Sequence, residues 1–206
     1  MGVMVPTLIV VISGIHAPSL NANVILTAAA NPQLSRVPLL CLSQGAATSV
    51  LAAHSLRQRI DHHCRQHLPQ PSSGLMPAPN LLIWAFSAGC VGAAGLAYHW
   101  HQHRGKVLAL FAVDGWGVPL SAGFPVYRLS HDWFTHVTCQ GMGAGPINFW
   151  AEPAVAHLDF WRRLNTIAGW QSWHPKDGPP TLRRLTAGEF LCHWSQQHLE
   201  PDPGPS

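Results

Sequence analysis

Five short, predominantly apolar runs, continuous rather than alternating, set the main constraint on this chain, at residues 6–12, 37–42, 81–86, 107–113 and 125–129. A strand with one wet face alternates apolar and polar residues, so a continuous run implies cover on both faces. Helix-compatible stretches fill residues 46–67 and 90–104 between them. That order predicts an α/β fold, a three-layer sandwich around a mostly parallel sheet of about five or six strands. The 206 residues suffice for one sizeable core. A single domain is expected over residues 1–200, with "PDPGPS" at 201–206 a disordered tail.

Breaker-rich segments mark the joints. "LPQPSSGLMPAP" (68–79), "QGMGAGP" (140–146) and "HPKDGPP" (174–180) predict loops. Residues 151–164, "AEPAVAHLDFWRRL", predict a helix with Pro153 near its start, and residues 187–198 a final helix.

Charge excludes one class of partner. Only 10% of residues are charged, against roughly 25% in an average domain. The net charge of +3 gathers into no basic block, so no nucleic acid partner is expected. Cys41, Cys64, Cys90, Cys139 and Cys192 are scattered and never form C-x-x-C. This pattern predicts free thiols in a reducing, cytoplasmic setting. The N-terminal run lacks the basic lead of a signal peptide, and its β-branched residues suit a strand.

Residues 80–95, "NLLIWAFSAGCVGAAG", pose the functional question. Residues 81–98 are eighteen positions without a charge, which reaches the length of a membrane helix. Gly89, Gly92 and Gly95 would let such a helix pack closely. Yet the first half is bulky and strand-prone, whereas the second is rich in Ala and Gly. Strand, turn and buried helix is the preferred reading, with a small membrane protein spanning 81–98 as an alternative.

A sharp strand-to-helix turn that presents a nucleophile has the pattern G-x-S-x-G. Here it reads Ala85-Phe86-Ser87-Ala88-Gly89, with alanine at the first small position. The turn would aim the Ala88 N–H at a developing oxyanion. Downstream, Asp114 follows the run at 107–113 and His131 follows the run at 125–129.

On these residues, over roughly positions 6–140, the chain resembles the α/β-hydrolase superfamily. The likeness is to small serine hydrolases with an esterase- or lipase-like core. It implies Ser87 as nucleophile, His131 as general base and Asp114 as the orienting acid. A second oxyanion N–H is implied at Ile15, in the loop "GIH" after the first run. Rivals remain: His136 for the base, Asp132 for the acid, and Ser43 in "CLSQG" for the nucleophile. The implied reaction is hydrolysis of an ester or related acyl bond, with no cofactor. The implied substrate is a small or acyl, lipid-like molecule, with possible peripheral membrane contact. The alternative within the resemblance is an inactive hydrolase-like domain that binds a ligand or partner.

Two histidine clusters invite a metal reading. His62, His63, Cys64 and His67 form one, and His99 with His103 forms the other. Neither supplies a full ligand set, and histidines near helix ends are ordinary, so no metal is expected. Trp133, Trp150, Trp161, Trp170 and Trp173 crowd the C-terminal third. They read as core, or more pointedly as an apolar substrate cleft or cap.

Overall fold

The computed structural model describes residues 5–68, 77–120, 123–175 and 178–200. The strands are β1 (Thr7–Ile12), β2 (Leu39–Leu42), β3 (Asn80–Phe86), β4 (Val107–Val113), β5 (Val126–Ser130), β6 (Ile147–Ala151), β7 (Ala168–Trp173) and β8 (Thr181–Thr186). The helices are α1 (Ala22–Ala30), α2 (Ala53–His67), α3 (Gly89–His103), α4 (Trp133–Gln140), α5 (His157–Arg162) and α6 (Ala187–Gln197). All eight strands form one sheet in the order β2-β1-β3-β4-β5-β6-β7-β8.

The sheet is α/β in kind, but it exceeds the expected five or six strands and is mixed. Pairs from β2 through β6 are parallel, whereas β7 runs antiparallel to both β6 and β8. The three added strands lack an apolar run for identifiable reasons. Asn148 is buried within β6, and Gln171 and Ser172 within β7. β8 is an edge strand carrying exposed Arg183 and Arg184, the usual protection of an open edge. Arg184 lies over the Trp170 ring at 5.2 Å.

Side chains alternate across the sheet and feed two cores. Ile9, Val11, Leu82, Trp84, Phe111 and Phe149 face α1, α5 and α6. Leu8, Val10, Ile83, Ala85, Leu110 and Ala112 face α2 and α3. This explains why β1, β3 and β4 are continuous apolar runs. The three fully buried indoles each find an acceptor: Trp84 donates to Ser195 Oγ, Trp100 to the Pro79 carbonyl and Trp161 to Asn21 Oδ1.

Two helix expectations shift. The helix expected from residue 46 starts at Ala53, because Gly45 and Thr48 close a small turn through paired backbone hydrogen bonds. The helix expected over 151–164 shrinks to α5, because Ala151 still belongs to β6 and residues 152–156 make a non-helical link between the two. The candidate span at 81–98 is divided between β3, a turn and α3. Among the described residues no helix is long and apolar enough to cross a membrane. The expected tail at 201–206 and most of the 68–79 loop lie outside the described residues.

The topology reverses at β1. The chain leaves β1 through α1 to β2 on one side, then returns through α2 to β3 on the other. The carboxyl ends of β1 and β3 therefore border the crevice where parallel sheets commonly bind ligands.

One buried charge organises the loops beyond β4 and β5. Arg128 is almost fully buried and donates to four backbone carbonyls, those of Gly143, Gly115, Val118 and Met142. Burial lowers its pKa, yet four of the five guanidinium N–H groups donate a hydrogen bond. Orphaned buried acceptors cost about 1–3 kcal/mol each, so Arg128→Leu should lower the unfolding free energy by at least about 3 kcal/mol. Urea denaturation checks this, and a loss below about 1 kcal/mol would mean that the loops are held by other contacts.

Candidate active site

Ser87 lies between β3 and α3 with φ at 53°, and Asp114 directly follows β4 with φ at 52°. Both lie in the left-handed region that non-glycine residues avoid, at a cost of order 1–3 kcal/mol. Backbone bonds hold them there: the Ser87 N–H donates to Val113 at 2.8 Å, and the Asp114 N–H to Leu129 at 2.7 Å. Two adjacent strand ends are thus bent the same way, and both side chains point into one cleft.

The small residues around Ser87 are needed for space. A Cβ on Gly89 would strike the Ser13 carbonyl and Ile12. A Cβ on Gly14 would sit 3.0 Å from Ser87 Cβ, so the loop after β1 runs against the serine. Ala85 is fully buried in the core toward α3, where a methyl group fits in place of the usual first glycine. Neither the Ala88 N–H nor the Ile15 N–H donates a hydrogen bond among the described residues.

The imidazole that meets Ser87 is that of His157. Its Nε2 lies 3.0 Å from Ser87 Oγ, and its Nδ1 lies 2.8 Å from Asp114 Oδ2. The ring stacks on Phe86 with centroids 4.7 Å apart, and Phe86 in turn stacks on Trp161 at 4.8 Å. Stacking fixes the ring plane while the carboxylate selects the tautomer with hydrogen on Nδ1. A hydroxyl in contact with such an imidazole can lose its proton as it attacks an electrophile.

The expected base, His131, occupies another position around the same carboxylate. Its backbone N–H donates to Asp114 Oδ1 at 2.8 Å. Its Nδ1 lies 3.0 Å from Asp114 Oδ2 but off the line of a hydrogen bond, and is buried without a hydrogen-bond partner. Pairing with Asp114 raises the His131 pKa above the ordinary value. The side chain of Asp114 is only 1% exposed. Asp132, the rival acid, caps α4 by accepting from the Thr135 N–H at 2.7 Å, and its Oδ2 lies 3.4 Å from His131 Nε2.

The other rivals stand apart. Ser43 accepts a hydrogen bond from Asn21 beyond the end of β2, with no imidazole bonded to it. His136 is buried on α4, stacked on Trp150 at 4.6 Å and bonded to Gln140. Of the histidine clusters, His63 and His67 pair along α2 and His99 and His103 along α3, whereas Cys64 is core. Among the described residues the only set of three groups within reach of one metal ion is Asp114, His131 and His157.

His157 escaped the sequence reading because β6 did. Had "INFWA" been taken as a strand, the series of strand-end residues would have run one strand further, to "AEPAVAH". The cleft over Ser87 has a volume of about 250 Å³ and is lined by Ala88, Val91, Trp116, Val118 and Thr135 besides the polar groups. A larger groove of about 370 Å³ between α2 and α3, bordered by His54, Arg57 and His99, holds no comparable constellation. Trp150 and Trp161 are core, whereas Trp133 stands exposed on α4. No model of a known protein family matches the chain, and no curated protein matches it in sequence.

His136 makes a measurable prediction. Burial, with nearby His174, pushes its pKa down to about 4 from the ordinary 6.5. The unfolded chain takes up this proton near pH 6.5 and the folded protein only near pH 4. Stability from this group is therefore complete above about pH 6.5 and drains away toward pH 4, by about 3 kcal/mol in all. Thermal or urea unfolding across this window should show the loss, and His136→Gln should flatten it.

Proposed function

We propose that this chain is a serine hydrolase of the α/β-hydrolase type that cleaves an ester or related acyl bond. The observation that carries the reading is the hydrogen-bonded series Ser87 Oγ, His157 Nε2, His157 Nδ1 and Asp114 Oδ2, at 3.0 and 2.8 Å. Ser87 attacks the acyl carbon as His157 takes its proton. Asp114 compensates the imidazolium and keeps Nδ1 protonated. The N–H groups of Ala88 and Ile15 receive the oxyanion, and His157 returns its proton to the leaving group. The acyl-enzyme is then released by water through the same relay.

The cleft supports small, uncharged acyl substrates. Its apolar walls are Val91, Trp116 and Val118, and no lysine or arginine lines it. Its volume of about 250 Å³ falls below the roughly 300–1,000 Å³ typical of drug-sized ligands. Trp116 is 61% exposed and tied to α4 by a hydrogen bond from its indole to Thr138, so it stands as one lip of the entrance.

A fluorophosphonate probe tests the chemistry. Labelling of the folded protein is expected on Ser87 and should vanish in Ser87→Ala. His157→Ala and Asp114→Asn should slow it by roughly 10⁴-fold, with His131→Ala causing a smaller loss. No labelling, or a greater loss from His131→Ala than from His157→Ala, would contradict the assignment. On p-nitrophenyl esters, butyrate should be preferred to the charged hemisuccinate. Trp116→Ala should lower kcat/KM for butyrate by roughly tenfold. Equal rates on both esters would remove the apolar-substrate claim.

A further inference from the structure

Asp114 Oδ2 lies close to two ring nitrogens, and only one of them is accounted for. His157 Nδ1 donates to it at 2.8 Å, as a relay requires. His131 Nδ1 stands 3.0 Å away, buried and outside hydrogen-bond geometry. The other nitrogen of that ring, Nε2, faces Asp132 Oδ2 at 3.4 Å. That approach is an ion-pair distance and not a hydrogen bond, so the ring is held beside two carboxylates while its Nδ1 stays without a hydrogen-bond partner. Carboxylates beside an imidazole commonly help to orient it toward a metal ion.

We propose that Asp114 Oδ2, His131 Nδ1 and His157 Nδ1 form a binding site for a divalent transition-metal ion with the ligand preference of zinc, and that occupation switches Ser87 off. Each of the three residues offers a ligand atom within 4.8 Å of the other two. Tetrahedral bonds of about 2.0–2.1 Å place ligand atoms about 3.3 Å apart, so the two carboxylate–imidazole distances, 3.0 and 2.8 Å, need to open by only a few tenths of an ångström. Two imidazoles and a carboxylate are an ordinary zinc set with a fourth position open to the cleft. Asp114 is already oriented for this, because the His131 N–H holds Oδ1 and leaves Oδ2 toward both rings.

The switch follows from the tautomer, and this half rests on the hydrolase reading. A metal on His157 Nδ1 displaces the proton there, and the neutral ring then carries its one hydrogen on Nε2. The lone pair that would accept the Ser87 proton is gone, while the carboxylate charge is spent on the ion. Zinc thus acts as a reversible inhibitor that competes with the relay for Nδ1.

Co²⁺ titrated into the whole protein, followed by visible absorption, reads binding without any need for activity. One ion per chain is expected, displaced by Zn²⁺, retained in Ser87→Ala and lost in both His131→Ala and His131→Gln, with circular dichroism reporting that the variants are folded. Absence of binding, binding undiminished in both His131 variants, or loss instead in His63→Ala or His99→Ala would overturn the site. Fluorophosphonate labelling of the metal-free protein reads the hydrolase proposal separately. Saturating Zn²⁺ should slow that labelling at least tenfold, and undiminished labelling would overturn the switch.

Discussion

A carboxylate taken out of water costs several kcal/mol unless charge and hydrogen bonds repay it, and Asp114 is repaid on both oxygens. Oδ1 accepts the His131 backbone N–H, and Oδ2 meets the rings of His157 and His131. Its own backbone is held in the left-handed region by a bond to Leu129. The arrangement ties the ends of β4, β5 and β6 to one buried atom group. Ser87, at the end of β3, joins through His157, so the site depends on the parallel register of these four strands.

The supports around this carboxylate are themselves buried and polar. Arg128, from β5, gathers the carbonyls of the loop after Asp114 and of the loop before β6. Phe86 and Trp161 form a stacked wall behind His157. A side-chain relay needs positions fixed to a few tenths of an ångström, and here that precision comes from strands and stacked rings rather than from long loops. The exposed lip at Trp116 is the contrasting part, open to whatever approaches the cleft.

The sequence revealed the parallel half of the fold because burial on both faces leaves continuous apolar runs. It placed β1 to β5 within a few residues, and with them Ser87 and Asp114 at strand ends. It did not reveal β6 to β8, because Asn148, Gln171 and the arginines of β8 break the apolar pattern for reasons set by tertiary contacts. Asn148, for one, accepts from the Arg128 N–H and donates to Gly145. With β6 goes His157, the imidazole that contacts both Ser87 and Asp114. His131 has the right residue type at a strand end and contacts the right carboxylate, but spacing alone cannot tell which ring reaches over to Ser87.

The central claim is that Ser87, His157 and Asp114 act as one unit. A crystal structure of the protein after reaction with a small phosphonate ester tests it most directly. The account predicts a single adduct on Ser87 Oγ, His157 Nε2 within hydrogen-bond distance of the leaving-group position, and the phosphoryl oxygen directed at the Ala88 and Ile15 N–H groups. An adduct on Ser43, or one on Ser87 with His131 rather than His157 at the leaving-group position, would contradict it.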